Sequence, residues 1–316
     1  MKKTIAIKTL QFLLTLILVS LFLFAVFYFL KGDSSGVILG EDVTETVRNN
    51  YIENNKLNVS FLSGYLRSMY RLFSFDWGRS VSGESIKEIV RVSLPVSLSL
   101  ALYALLLSFP FSLWLSIRAV RKKGFSALFL ALFSALFFLL PSFLSSIILI
   151  IVFSSLLRIF PVAGYAGIEE GFIAHLRSLF LPSLSLSLMN TAFMLRVFRE
   201  TLEENMTKPF VNYARAKGMK EKSLVVKSAL KPSMLVIITT SAQSIVSFFA
   251  SSTVVETVFA LPGMGRALVR SASMRDYQQS FVLVMIMVLL ISLVLFISQI
   301  LTSLVDRRGE RENGKA

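Results

Sequence analysis

Residues 278–305 read QQSFVLVMIMVLLISLVLFISQILTSLV, 28 consecutive positions without an Asp, Glu, Lys, Arg or His. A soluble helix keeps a charged or polar face, and this segment has none that is charged, so its natural solvent is hydrocarbon, whose core about 20 helical residues cross. Working outward, five more runs lack ionisable residues: Thr9–Leu30, Val92–Ile117, Phe125–Leu157, Ser178–Leu195 and Pro232–Val255. The whole chain is 54% hydrophobic with 28 Phe in 316 residues and a mean hydropathy of +0.70, outside the soluble norm. The expected fold is an all-α polytopic membrane protein with six transmembrane helices.

Two runs need comment. Thr9–Leu30 follows Lys2, Lys3 and Lys8 as a secretory signal would, but its 22 residues exceed an h-region of roughly 7 to 15, so residues 1–30 read as a retained anchor helix. Phe125–Leu157, at 33 residues, would be about 50 Å long as a helix against a core of about 30 Å. Pro141 near its middle predicts a kinked or tilted helix with an interfacial start.

Charge sets the orientation. With the N-terminus inside, segments 1–8, 118–124, 196–231 and 306–316 carry 20 Lys/Arg in 62 residues, whereas 31–91, 158–177 and 256–277 carry 13 in 103. This contrast follows the positive-inside rule and places both termini in the cytoplasm. It also explains the net charge of +14 without nucleic acid, because the excess sits beside spans rather than on one soluble domain. The organisation is then an anchor (1–30), an exterior region (31–91), a five-helix core (92–305) with a cytoplasmic loop at 196–231, and a cytoplasmic tail (306–316). In the exterior region Phe61, Leu62, Tyr65, Leu66, Met69, Leu72 and Phe73 follow helical spacing, which predicts an amphipathic helix on the membrane face or on neighbouring spans.

The chain has no G-x-x-x-x-G-K-[ST] loop, so any ATP that drives it binds elsewhere. With no Cys and a single His175 there is no thiol chemistry and no His-rich metal site. The rival transport class, an ion-coupled carrier, would place ionisable groups inside spans, and all six runs lack them. Internal repeats are likewise not evident. A channel would need a charged ring or filter, and a membrane enzyme convergent acids, bases or metal ligands; the sequence offers neither.

The loop Arg196–Lys231 has nine Lys/Arg against four Asp/Glu. Arg196 with Glu200 and Arg199 with Glu203 form i,i+4 pairs that extend span four as a solvated helix end. Pro209 permits a new helix start, Phe210, Val211, Ala214 and Met219 give it an apolar side, and Gly218 supplies the positive φ that ends it. Such a helix serves equally as a docking element or as a surface helix lying on headgroups. Within the spans, Ser183, Ser187, Asn190, Thr191 and Met194 in span four and Thr240, Ser244, Ser247 and Ser251 in span five, with Gln243 adjacent, each form one polar stripe. These stripes fit a pathway lining and close helix packing alike. On the exterior side Pro262, Gly263 and Gly265 suggest a tight turn followed by Arg266, Arg270 and Arg275, and Glu256 at the end of span five is a partner for one of these arginines. The same segment also reads as a capped amphipathic connector resting on headgroups; as a positive cluster it would suit a binding protein or an anionic peptide terminus.

The stretch Tyr213-Ala214-Arg215-Ala216-Lys217-Gly218 resembles the cytoplasmic EAA-type loop of binding-protein-dependent ABC importer permeases, in the form of the dipeptide/oligopeptide branch. Val254-Val255-Glu256-Thr257-Val258-Phe259-Ala260-Leu261-Pro262-Gly263-Met264-Gly265-Arg266, followed by Arg275-Asp276-Tyr277, is similar to that branch's segment after span five. Shorter similarities are Gly32-Asp33, Asp76-Trp77-Gly78-Arg79-Ser80, Leu140-Pro141-Ser142-Phe143 and Phe160-Pro161-Val162-Ala163-Gly164-Tyr165. The chain departs from the pattern at Asn212, where an acidic residue or arginine is usual, and in having Pro232 in place of a later proline.

The resemblance implies the permease subunit of an ATP-driven importer of di- or oligopeptides in the prokaryotic cytoplasmic membrane; relatives of this branch also carry nickel, glutathione or oligosaccharides. It implies that residues Phe210, Val211, Asn212, Tyr213, Ala214, Arg215, Ala216, Lys217, Gly218, Met219 and Lys220 form a coupling helix and turn. Phe210, Val211, Ala214 and Met219 would enter the groove of an ATPase, with Arg215, Lys217 and Lys220 at its rim. The implied partners are two ATPase subunits that hold ATP and Mg, a second related permease, an extracytoplasmic substrate-binding protein and the lipid bilayer. No cofactor is expected on this chain, and no nucleic acid.

Overall fold

The computed structural model describes residues 2–30, 60–121, 132 and 134–313; the exterior stretch 31–59 with its Gly32-Asp33 similarity, residues 122–131 and the final 314–316 lie outside the described residues. Apart from one isolated bridge between Arg79 and Ser85, the regular elements among the described residues are helical. The principal ones, in chain order, are α1 (Lys2–Leu30), α2 (Phe61–Phe73), α3 (Ile86–Arg121), α4 (Ser142–Leu149), α5 (Phe172–Met206), α6 (Pro209–Ala216), α7 (Leu230–Val258), α8 (Met264–Ser273) and α9 (Tyr277–Asn313). Among the described residues five stretches are long and apolar enough to cross a membrane: Ala6–Leu30, Ile86–Val120, Phe172–Met206, Glu221–Val258 and Tyr277–Asp306. The tail expected at 306–316 continues α9 as helix to Asn313.

The third apolar run is not one kinked helix. Residues 134–139 are helical, the helix breaks at Leu140, and α4 restarts with Pro141 as its N-cap at φ −60° and ψ 148°. A proline disfavours a helical conformation at the preceding residue, and here the run divides, whereas Pro95, Pro110 and Pro182 stay inside continuous helices. α4 passes into a π-helical turn, Ile150–Leu156, making a 15-residue apolar piece of about 22 Å, shorter than the bilayer core.

Burial explains why the runs differ in polarity. The apolar window of α5 is 72% buried inside the chain and that of α1 only 11%, while their hydropathies are 1.4 and 2.8. α5 is surrounded by α3, α4 and α7 and tolerates serines because protein, not lipid, surrounds it; α1 leans on α9 at the periphery and needs an all-apolar surface. The main core cluster joins Val96 and Leu100 of α3, Leu149 of α4, Leu179 and Leu186 of α5 and Phe248 and Val255 of α7. Ser145 and Ser146 of α4 meet Ser185 of α5 at 3.0 and 2.7 Å, so the Leu140–Phe143 similarity sits where α4 clasps α5.

α2 divides its apolar residues between two faces. Phe61, Tyr65, Met69 and Leu72 pack around Phe24 and Phe281, and the Tyr65 and Ser20 hydroxyls lie 2.8 Å apart. Gly64 is the close-approach point, since a Cβ there would stand 3.1 Å from Phe24. Leu62, Leu66 and Phe73 remain exposed, so packing on spans accounts for one face of the predicted stripe and not the other.

Candidate functional site

Two ends of the bundle carry the polar machinery. At the end predicted to be cytoplasmic, α5 extends past its apolar run through the Arg196–Glu200 and Arg199–Glu203 pairs at 3.0 and 2.8 Å, as the spacing predicts. α6 begins with Pro209 at its first turn after Lys208 in an extended conformation. It closes as a Schellman motif: Gly218, at φ +83°, donates its N–H to Arg215 O at 2.9 Å, and Met219 donates to Ala214 O at 3.3 Å. Glycine is the residue that adopts this φ without a Cβ penalty.

The orientation of α6 revises which of its residues face outward. Val211 is fully buried and Ala214 half-buried, because this side rests on α5 and on the π-helical turn Leu224–Ala229 that leads into α7. The outward side presents Phe210, Tyr213 and Met219, with Lys217 Nζ 4.5 Å from the Tyr213 ring centre. Asn212 accepts from Arg215 Nη1 at 2.9 Å while Arg215 Nε donates to Glu221 at 3.0 Å, so the departure at 212 still holds the guanidinium in place. Ala216 and Lys220 are exposed. Beneath the loop, Asn205 of α5 donates to Ser233 of α7 at 2.8 Å, joining the two helix ends that flank α6.

At the opposite end the motifs that carry the family resemblance converge. Glu256, in the last turn of α7, is fully buried. Among the described residues it pairs with no guanidinium: Ser97 Oγ of α3 donates to one carboxylate oxygen at 2.7 Å and the Arg266 backbone N–H to the other at 3.0 Å. Arg266 sends its own Nη1 to Ala260 O at 2.7 Å, so the expected Glu–Arg side-chain pair is replaced by a helix N-terminus binding a carboxylate. Ser97 also accepts the Met264 N–H at 2.8 Å. The two glycines are there for closeness: a Cβ on Gly263 would fall 2.2 Å from the Glu256 carboxyl carbon, and one on Gly265 2.5 Å from Thr253 Cα. Leu261, next to Pro262, is buried among the α3, α5 and α7 core.

A second clasp joins Asp76–Ser80 to Arg275–Tyr277. Asp276, buried, accepts from Ser80 Oγ at 2.7 Å, from Val81 N–H at 2.8 Å and, as the cap of α9, from Gln279 N–H at 2.9 Å. Trp77 donates to Leu72 O and receives Gln278 Nε2 on its carbonyl. The Phe160–Tyr165 stretch is joined to the same end through Gly164 N–H and Phe259 O at 3.1 Å. Ser97 was not identifiable from the sequence, because a serine in an apolar run does not by itself announce which other helix it will meet.

The polar stripes behave differently from one another. Ser183, Ser187, Asn190, Thr191 and Met194 of α5, and Thr240 and Ser244 of α7, are buried in helix contacts; Met194 packs with Phe198 and Ile237, and Asn190 bonds its own helix at Leu186 O. Ser247 and Ser251 are half-buried and Gln243 is exposed, so only this part of the two stripes reaches a surface.

Residues 108–311 match the family described as binding-protein-dependent transport system inner membrane component. The chain is 30% identical over 265 residues to a putative peptide transport system permease protein of Brucella abortus, covering 83% of this chain and 84% of that one. It is 28% identical over 311 residues to the oligopeptide transport system permease protein AppB of Bacillus subtilis (96% and 98% covered). With the oligopeptide transport system permease protein OppB of Escherichia coli it shares 28% over 227 residues (70% and 71% covered).

Proposed function

Because the chain belongs to the family of binding-protein-dependent transport system inner membrane components, we propose that it is the permease subunit of an ATP-driven importer of di- or oligopeptides. It is a multi-pass inner-membrane protein. In this reading the divided third run completes six spans, both termini are cytoplasmic, residues 1–30 anchor the core at 92–305, and loop 196–231 faces the ATPases. Two ATPase subunits hold ATP and Mg, this chain binds no cofactor and hydrolyses nothing, a second related permease completes the pathway, and an extracytoplasmic binding protein delivers substrate. The names of the relatives support peptides as cargo.

The observation that carries the reading is the seating of α6. Its inner face is anchored by fully buried Val211, its outer face offers Phe210, Tyr213 and Met219, and its flanking helices are tied by Asn205 and Ser233. An apolar helix face with basic residues beside it suits a helix-in-groove contact. Movement of α6 is then passed to α5 and α7 as a rigid unit, the kind of element that rocks between inward-open and outward-open states. The test is ATP-dependent uptake of a radiolabelled dipeptide into proteoliposomes holding this chain, its partner permease, the ATPases and the binding protein. Uptake that runs without the ATPases and follows an imposed ion gradient would overturn the reading in favour of a secondary carrier.

A further inference from the structure

A cavity of about 650 Å³ opens at the end predicted to be exterior, between the start of α3 with the 80–85 loop on one wall and α8 on the other. Its floor is apolar, from Ile89, Val92, Pro262, Ala267 and Met274. Its charges are divided by wall: Glu84 on the α3 side, Arg270 on α8. Neither side chain has an ion-pair partner among the described residues, although Glu88 nearby pairs with Arg91 at 3.5 Å, and Arg266 is engaged with Ala260 O. A carboxylate and a guanidinium that face one cavity without meeting are complementary to a ligand with opposite charges at its two ends.

We infer that this cavity is an entry subsite for short zwitterionic peptides, with Glu84 receiving the α-ammonium group and Arg270 the α-carboxylate. The inference rests on the importer reading above and names the substrate end-groups that the reading leaves open. The volume lies within the range of small-ligand sites, and the apolar floor accommodates varied side chains. Arg suits the carboxylate because its donor fork matches two oxygens, while a Glu carboxylate is acceptor-only and suits an ammonium.

The test uses the complete reconstituted importer and three probes: alanyl-phenylalanine, its N-acetyl form and its C-terminal amide. The wild-type complex is expected to prefer the unmodified dipeptide. E84Q should raise its half-saturating concentration about tenfold and abolish discrimination against the N-acetyl form only. R270Q should do the same for the amide only. Folding damage would not produce this crossed pattern. Wild-type saturation and selectivity in both variants overturn the subsite alone, as does a result in which the variants lose only affinity for the binding protein, which would reassign the cavity to protein docking. Absence of ATP-dependent uptake of any of the three by the wild-type complex overturns the peptide-importer reading together with the subsite.

Discussion

Ser97 of α3 donates its hydroxyl to Glu256 of α7 at 2.7 Å and accepts the Met264 N–H at 2.8 Å, so one serine joins three helices around a buried carboxylate. The joint leaves no room: Gly263 and Gly265 lie against Glu256 and Thr253 at distances a Cβ cannot enter. Gly263→Ala must displace the carboxylate, and Gly265→Ala must move the α7 backbone. Each is expected to cost about 1–3 kcal/mol or more, seen as a lower thermal transition of the purified complex. Gly167, at φ −66° and with no atom closer than 3.9 Å to a Cβ, is the control for crowding.

Asp276→Ala removes the acceptor of Ser80, Val81 and Gln279 together. The 76–85 segment should then detach from α9, and the expected readout is faster tryptic cleavage at Arg79. Unchanged cleavage would mean that the Trp77 packing alone holds the segment.

Gly218→Pro replaces a residue at φ +83° by one restricted to about −65° and removes the N–H that reaches Arg215 O. The protein should still insert, since the apolar helices are untouched. ATP hydrolysis should continue while peptide uptake falls to background; wild-type uptake at normal expression would show that the turn does not transmit motion.

Phe210→Asp and Val211→Asp are adjacent substitutions with opposite expected consequences. Phe210 is 47% exposed, so its variant should fold and bind the ATPases at least about tenfold more weakly in co-purification titrations. Val211 is 0% exposed, so its variant should lose yield and thermal stability first. Equal behaviour of the two would contradict the inward and outward division of α6.

Cysteine at Gln243, Ser247 and Ser251 should react with a water-soluble thiol reagent in the assembled importer, and cysteine at Ser183 and Ser187 should not. The reverse pattern would put the pathway along α5.

Much of the site was legible because local physics marks it. Pro209 and Gly218 punctuate α6, and i,i+4 charges mark the solvated end of α5, all without tertiary information. Other terminations left no such mark. α7 ends with Ala260 at φ +54° and α8 with Arg275 at φ +53°, left-handed positions that favour glycine, and nothing local announces them. They persist because Leu261 and Asp276, the residues that follow, are held by buried contacts.

The sequence by itself determined the membrane as solvent, the helical class, the charge asymmetry and the place of the loop, since these depend on composition and on spacing along one helix. Only the tertiary structure decided that Pro141 divides the third run, that Val211 turns inward, that the α5 serines are packed among helices, and that Glu256 binds a hydroxyl and backbone N–H groups instead of an arginine. A polar residue in an apolar run is compatible with packing or with a pathway, and which one applies depends on the neighbours that arrive from elsewhere in the chain.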